Sequence, residues 1–103
     1  MPKLTLVAAL YIHSGREAEF DQFEAAAARI MARHGGAIDR RIRIARAAGD
    51  NLPHEVHIVT FPDDASFQRY RADPELHGLA ELRARAIRET VVWTGSELAG
   101  FET

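Results

Sequence analysis

The sequence predicts an α+β fold of order βαββαβ, with four strands in one antiparallel sheet and two helical regions on one of its faces. Three observations predict it. The chain begins with a run from Lys3 to Ile12 that is apolar on nearly every position, through Leu4, Leu6, Val7, Leu10, Tyr11 and Ile12. The next stretch places apolar residues at helical spacing and stops at two glycines. A pair of strand-like runs, a second helical region and a last β-branched run follow in that order.

Continuous apolarity suits a first strand covered on both faces. Ser14-Gly15-Arg16-Glu17 reads as a capping box, with the serine accepting from the backbone and the glutamate reaching back. Phe20, Phe23, Ala27, Ile30 and Met31 then form the buried stripe of a helix, while Glu17, Asp21, Glu24, Arg29 and Arg33 fill its other faces. His34-Gly35-Gly36 ends it, because glycine accepts the left-handed conformation common past a helix C-terminus. From Gly36 to Ala47, Ile38, Ile42 and Ile44 share one alternation with Arg40 and Arg46, and Arg41 and Arg43 take the other. Ala48 to Pro53 is a turn by composition, so a hairpin joins this second strand to a third, His54 to Phe61.

Asp63 or Asp64 can cap the second helical region, where Phe67 and Tyr70 share a face. Asp73-Pro74 interrupts it, with Asp73 as N-cap and Pro74 as first residue of a further piece. Leu76, Leu79, Leu82 and Ala86 form that piece's buried stripe, and Glu89 to Thr94 is the last strand. Right-handed crossovers arrange these elements as a ferredoxin-like βαββαβ sandwich. Its helix-free sheet face is expected to be apolar, since Val56 and Ile58 alternate with Val59 and Phe61, and Val92 with Val91 and Trp93. A large apolar face rarely stays wet, and a second copy of the chain is the economical cover.

With 103 residues, 47% hydrophobic and 27% charged, the chain is expected to form one globular domain over 1–103, with a core at about 3–95 and a C-terminal tail at 96–103. A net charge of −2 argues against a general electrostatic hold on nucleic acid. The absence of cysteine excludes disulfides, thiolate catalysis and thiolate-bound metals. Met1-Pro2-Lys3-Leu4 lacks the features of a secretory leader, and no apolar stretch is long enough to span a bilayer. No membrane partner is expected, and the expected location is cytoplasmic.

Glu55-Val56-His57-Ile58-Val59-Thr60-Phe61-Pro62, Ser66-Phe67-Gln68-Arg69-Tyr70, Asp73-Pro74-Glu75 and Leu79-Ala80-Glu81-Leu82-Arg83 together resemble the dimeric α/β-barrel superfamily. Within it they resemble the subgroup known only as a domain of unknown function, related to antibiotic-biosynthesis-type monooxygenases. The likeness runs from roughly Leu4 to Gly95. It implies that two sheets pack face to face as a homodimer, with a ligand cavity between sheet and helices in each subunit. Members of the superfamily include cofactor-free quinone-forming monooxygenases, haem-degrading monooxygenases, isomerases and proteins of no known activity. The haem-degrading pattern has an asparagine on the first strand, a tryptophan in the second helical region and a histidine further along. Here the first strand has no asparagine, and the corresponding positions are Tyr70 and Ala80. That function is not carried over, and no cofactor is expected.

His57 stands first among candidate site residues, because histidine titrates near neutrality without help. It shares the alternation of Val59 and Phe61, so it is either a buried histidine bonded to a neighbour or a base or donor facing a cavity. Tyr70 carries a polar tip on an apolar ring. Arg83 is either an ion-pair partner of Asp73, Glu75 or Glu81, or a clamp for a carboxylate or enolate. His13, Phe67 and Trp93 complete the set as candidate ligand contacts, with Trp93 alternatively an interface anchor. His54 and His57 fall on opposite strand faces, and no histidine pair has a metal-binding spacing, so no metal is expected. The basic run Arg40, Arg41, Arg43 and Arg46 reads as a solvated strand that resists edge-to-edge association. No nucleophile elbow, phosphate loop or dinucleotide fingerprint occurs.

Two functions fit. One is a cofactor-free monooxygenase or isomerase acting on a small aromatic or enolisable substrate, with His57 as base or donor, Tyr70 as proton donor and Arg83 as clamp. The other is a non-catalytic homodimer that binds a small ligand or serves as a scaffold, its interior filled by Phe67, Tyr70 and Leu82.

Overall fold

The structure, a computed structural model, describes residues 3–45 and 51–102. Arg46 and the turn residues Ala48 to Asp50 lie outside the described residues. The elements run β1 (Leu4–Ile12), α1 (Glu17–Arg33), β2 (Ala37–Arg43), β3 (Glu55–Phe61), α2 (Asp64–Arg71), α3 (Pro74–His77), α4 (Ala80–Ala86) and β4 (Ile87–Gly95). The sheet order is β2-β3-β1-β4, and every neighbouring pair is antiparallel. This is the ferredoxin-like α+β arrangement.

β1 is apolar on both alternations because it lies at the centre of the sheet. It pairs with β3, Leu6 opposite Val59 and Ala8 opposite His57, and with β4, Ala8 opposite Val92. Period-two alternation then sorts the side chains. Leu6, Leu10 and Ile12 face the helices with Val59 and Phe61, and all five are buried. Val7, Ala9, Val56, Ile58, Val91 and Trp93 fall on the helix-free face. Among the described residues, no helix is long and apolar enough to cross a membrane.

α1 buries Phe20, Phe23, Ala27, Ile30 and Met31, as its spacing requires. It does not begin with a capping box. Arg16 is the N-cap, and no side chain caps it. Gly15 sits at φ 77° and the Arg16 N–H donates to His13 O at 3.1 Å. Ser14 is thus spent inside a turn, two residues too early to serve as cap. The C-terminus forms a Schellman motif: Gly35, at φ 77°, donates to Ala32 O and Gly36 donates to Met31 O.

The second helical region is divided further than its spacing predicts. Asp63 caps α2 by accepting from the Ser66 N–H. Asp73 caps α3 by accepting from the Glu75 N–H, with Pro74 inside the first turn. Leu76, Leu79 and Leu82 do pack as one stripe against Leu10, Phe23 and Ala86, but Gly78 and Leu79 separate α3 from α4. β4 starts two residues before the predicted Glu89, since Ile87 is already paired with Ile12.

β2 departs most from expectation. The pairing shifts between Ile38 and Arg40, a bulge that inserts one residue and turns the strand over. Ile38 therefore faces the helices, packed near Val59 and Phe61. Ile42, paired with Val56 on the other face, is 37% exposed. The isoleucines do not share a side.

Gly36 passes close to the core. A Cβ there would overlap Phe61 and come within 2.6 Å of Met31 Cγ. Gly36→Ala is expected to lower stability by about 1–3 kcal/mol through overpacking, read as a lower urea midpoint. An unchanged midpoint would show that the Phe61 ring yields freely.

Candidate functional site

Between sheet and helices lies a cavity of about 380 Å³, inside the range of about 300–1,000 Å³ usual for small-molecule sites. Its space follows from small side chains where three elements meet: Ala8 on β1, Ala27 on α1 and Ala80 on α4 all line it. The rest of the wall is mainly apolar, with Leu6, Leu10, Phe23, Met31 and Val59 among its residues. Glu24, His57, Tyr70 and Arg83 also line it.

His57 is 2% exposed, and its two ring nitrogens face two acids. Nε2 lies 2.9 Å from Glu55 Oε1, and Nδ1 lies 3.7 Å from Glu24 Oε2. Glu55 in turn accepts from Arg41 Nε at 3.1 Å and Nη2 at 2.9 Å through Oε1, and from Nη2 at 3.2 Å through Oε2. Arg41 also reaches Asp21 at 3.8 Å. Burial pushes the Glu55 carboxyl up, but the hydrogen bonds from His57 and Arg41 outweigh burial and hold it below the ordinary carboxylate value. A carboxylate can only accept, so Nε2 of His57 carries the proton.

Glu24 behaves in the opposite way. Burial in the apolar wall pushes its carboxyl up to about 7, with Arg41 and Arg83 lowering it and Glu55 and Asp21 raising it. Tyr70 is pushed up to about 12, by burial first and then by the Glu24 charge, so its hydroxyl stays a donor at neutral pH. Its ring packs on Phe61 at 5.5 Å between centroids and meets His34 edge-on at 6.5 Å. Arg83 donates through Nη2 to Thr90 Oγ1 at 3.0 Å, and Thr90 also lines the cavity. Two of the acids considered as partners for Arg83 are engaged elsewhere, Asp73 by His34 at 2.8 Å and Glu75 by Arg33.

The cavity thus brings together His57, Tyr70, Arg83 and Phe67 of the residues singled out in the sequence. Phe67 packs on Phe61 at 5.3 Å beneath the Arg71 guanidinium at 5.6 Å. His13 and Trp93 lie elsewhere. His13 is exposed beyond the end of β1, its N–H donating to Ala86 O. Trp93 pairs with Val7, one step out of phase with the cavity residues Ala8 and Val92. It is 56% exposed on the helix-free face. Among the described residues, no group of three or more His, Asp or Glu side chains could hold a metal ion.

A family model, described as a domain of unknown function (DUF1330), matches residues 6–95. The chain belongs to the DUF1330 family. No curated protein matches it. Among solved structures, this DUF1330 chain is similar to a protein of unknown function from Rhodopseudomonas palustris, at 13% identity and TM-score 0.80, over 96% of this chain and 85% of that one. It is similar to a DABB family protein with a ferredoxin-like fold from Mesorhizobium loti, at 16% identity and TM-score 0.67, over 96% and 100% of the two chains. It is also similar to SnoaB, a cofactor-independent oxygenase from Streptomyces nogalater, at 24% identity and TM-score 0.66, over 95% and 97%. Likeness at these identities establishes the ferredoxin-like fold.

Two acids of the DUF1330 site escaped the sequence reading. Glu24 is expected on one of the helix's other faces, yet Phe20, Glu24, Ala27 and Met31 recur at the spacing of the buried stripe, and that spacing is the signal. Glu55 opens β3 in phase with His57, and Arg41, expected to be a solvated arginine, is bonded to it. Arg40, Arg41 and Arg43 are all exposed, as expected, and Arg41 in addition holds Glu55.

Glu24 also makes stability depend on pH. Its folded-state value of about 7 exceeds the ordinary 4.5, so the folded state holds the extra proton between those values. Stability contributed by neutral Glu24 falls as pH rises through that window, by about 3 kcal/mol in all. Glu24→Gln is expected to be the more stable protein at about pH 8, with the difference shrinking below about pH 5. Parallel urea titrations at the two pH values measure it, and equal differences at both would contradict the burial argument.

Proposed function

We propose that this protein is a small-molecule enzyme that moves a proton at a small aromatic or enolisable substrate held in the cavity, as a cofactor-free monooxygenase or isomerase does. The observation that carries the reading is Glu24, a carboxyl brought near neutrality inside an apolar, open cavity. A base works best with a pKa near the operating pH, and burial is the means by which proteins tune it. Glu24 would take the proton, Tyr70 would donate to the substrate oxygen, and Arg83 would hold the negative charge that develops there. His57 would accept or return the proton from behind Glu24. Reprotonation at another atom completes an isomerisation, while transfer of electrons from the deprotonated substrate to dioxygen begins an oxygenation. The open cavity favours ligand binding over a filled scaffold interior, and the likeness to SnoaB, a cofactor-independent oxygenase, supports the oxygenase branch by fold analogy.

We further propose that the protein works as a homodimer joined through the helix-free sheet face. Val7, Val56, Ile58, Val91 and Trp93 lie on that face with no helix over them, and Trp93 supplies the large aromatic anchor common at interface centres. A cytoplasmic location fits such an enzyme.

Exchange of the α-proton of 1-tetralone into D₂O, followed by NMR, tests the first step common to both branches, and oxygen uptake separates them. Glu24→Gln is expected to slow exchange about 100-fold or more, with Tyr70→Phe and His57→Gln also impaired and all three folded. Full activity in the His57 and Tyr70 variants would sink their assignment. Native mass spectrometry of the purified protein identifies any ligand carried with it. For the assembly, light scattering should give twice the chain mass at micromolar concentration and the chain mass for Trp93→Glu. A monomeric wild type would dispose of the dimer.

A further inference from the structure

The proposed acid-base chemistry does not use buried Glu55 or the exposed Arg41 that is bonded to it. They lie on the far side of His57 from the cavity. Five groups stand in sequence from β2 and α1 inward: Asp21, Arg41, Glu55, His57 and Glu24, with separations of 3.8, 2.9, 2.9 and 3.7 Å. Glu55 also lines a second, outer cavity with Asp21, Arg43 and His54.

We propose that Glu55, anchored by Arg41, is a positioning residue for the cavity: it fixes His57 in the Nε2–H tautomer and so aims the Nδ1 lone pair at Glu24 as the acceptor of its proton. Arg41 has only donors and is always cationic. It engages both Glu55 oxygens, which keeps that carboxylate ionised and in place. An ionised Glu55 leaves Nε2 no role but donor, and a neutral imidazole then has a bare Nδ1. The inference rests on the proposed role of Glu24. In the step it describes, the Glu24 O–H bond breaks and an Nδ1–H bond forms. Glu24 becomes a carboxylate and His57 an imidazolium whose Nε2–H stays on Glu55. Return of the proton reverses both changes. The 3.7 Å gap between Nδ1 and Glu24 Oε2 is longer than a hydrogen bond, and a small turn of the carboxyl or one bridging water closes it.

The charged and titratable groups that act on Glu24 are Asp21 on α1, Arg41 on β2, Glu55 and His57 on β3, Tyr70 on α2 and Arg83 on α4. Their signs give the positioning pair a signature that packing alone would not produce. Removing the Glu55 charge should ease ionisation of Glu24, and removing the Arg41 charge should oppose it.

The test is NMR of the intact protein labelled with ¹⁵N and ¹³C. Long-range ¹H–¹⁵N correlations should show neutral His57 protonated on Nε2 and bare on Nδ1. The Glu24 carboxyl midpoint, read from its ¹³C shift against pH, should fall by about one unit in Glu55→Gln and rise in Arg41→Gln. An Nδ1–H tautomer in the wild type overturns the proposal, and so do midpoints that move in the same direction in both variants. The wild-type tautomer decides the matter even if neither variant folds. Should these NMR results hold while Glu24→Gln keeps full proton exchange with 1-tetralone, the positioning of His57 stands and the catalytic reading of Glu24 falls.

Discussion

β1 hydrogen-bonds along its length to β3 on one side and to β4 on the other, with Ala8 opposite both His57 and Val92. The placement of every polar group in the cavity follows from that register. Because side chains alternate with a period of two, a slip of one residue would carry His57 and Glu55 to the helix-free face and bring Val56 and Ile58 inward. The slip is opposed by Leu6, Val59 and Phe61, which are all buried on the helix side and would lose that burial together. Apolar packing thus specifies where the histidine goes, although the histidine contributes nothing to the apolar stripe.

The electrostatic arrangement has the same economy. An ionised carboxylate in an apolar wall is costly, and the two buried acids meet this in different ways. Glu55 keeps its charge because Arg41 and His57 both donate to it. Among the described residues no arginine is hydrogen-bonded to Glu24, and burial keeps its proton to near neutrality. Two identical side chains, both in reach of one imidazole, are driven in opposite directions by what else touches them. Such divergence is how a site acquires both a fixed charge and a movable proton.

Much of the frame was legible because it rests on strong local signals. The central strand declared itself by apolarity on both alternations, α1 by its stripe and its paired glycines, and the break before α3 by Asp73-Pro74. Three features were not legible, each for a physical reason. The β2 bulge leaves no mark in the alternation, so Ile38 and Ile42 looked like neighbours on one face. Ser14 satisfied the capping pattern, but Gly15 turned the chain before the helix began. Glu24 occupied a stripe position, and a charged residue there is ordinarily read as a boundary of the buried face. His57, Tyr70 and Arg83 come from three elements distant in the sequence, and only the packing of helices on the sheet brings them to one cavity.

The cavity floor and its roof are built to different standards. The floor is a sheet in which the central strand is bonded on both sides. The roof over Tyr70, His77 and Arg83 is three short helices of 8, 4 and 7 residues. The middle one is fastened to α1 by two contacts from adjacent residues, Arg33 to Glu75 and His34 to Asp73. Short helices have little cooperativity of their own, and regions with few buried contacts open at lower free energy than the frame. The roof can therefore loosen at lower cost than the floor, while the strands that hold His57 and Glu55 keep their alignment. Motion in the roof and alignment in the floor are mechanically separate.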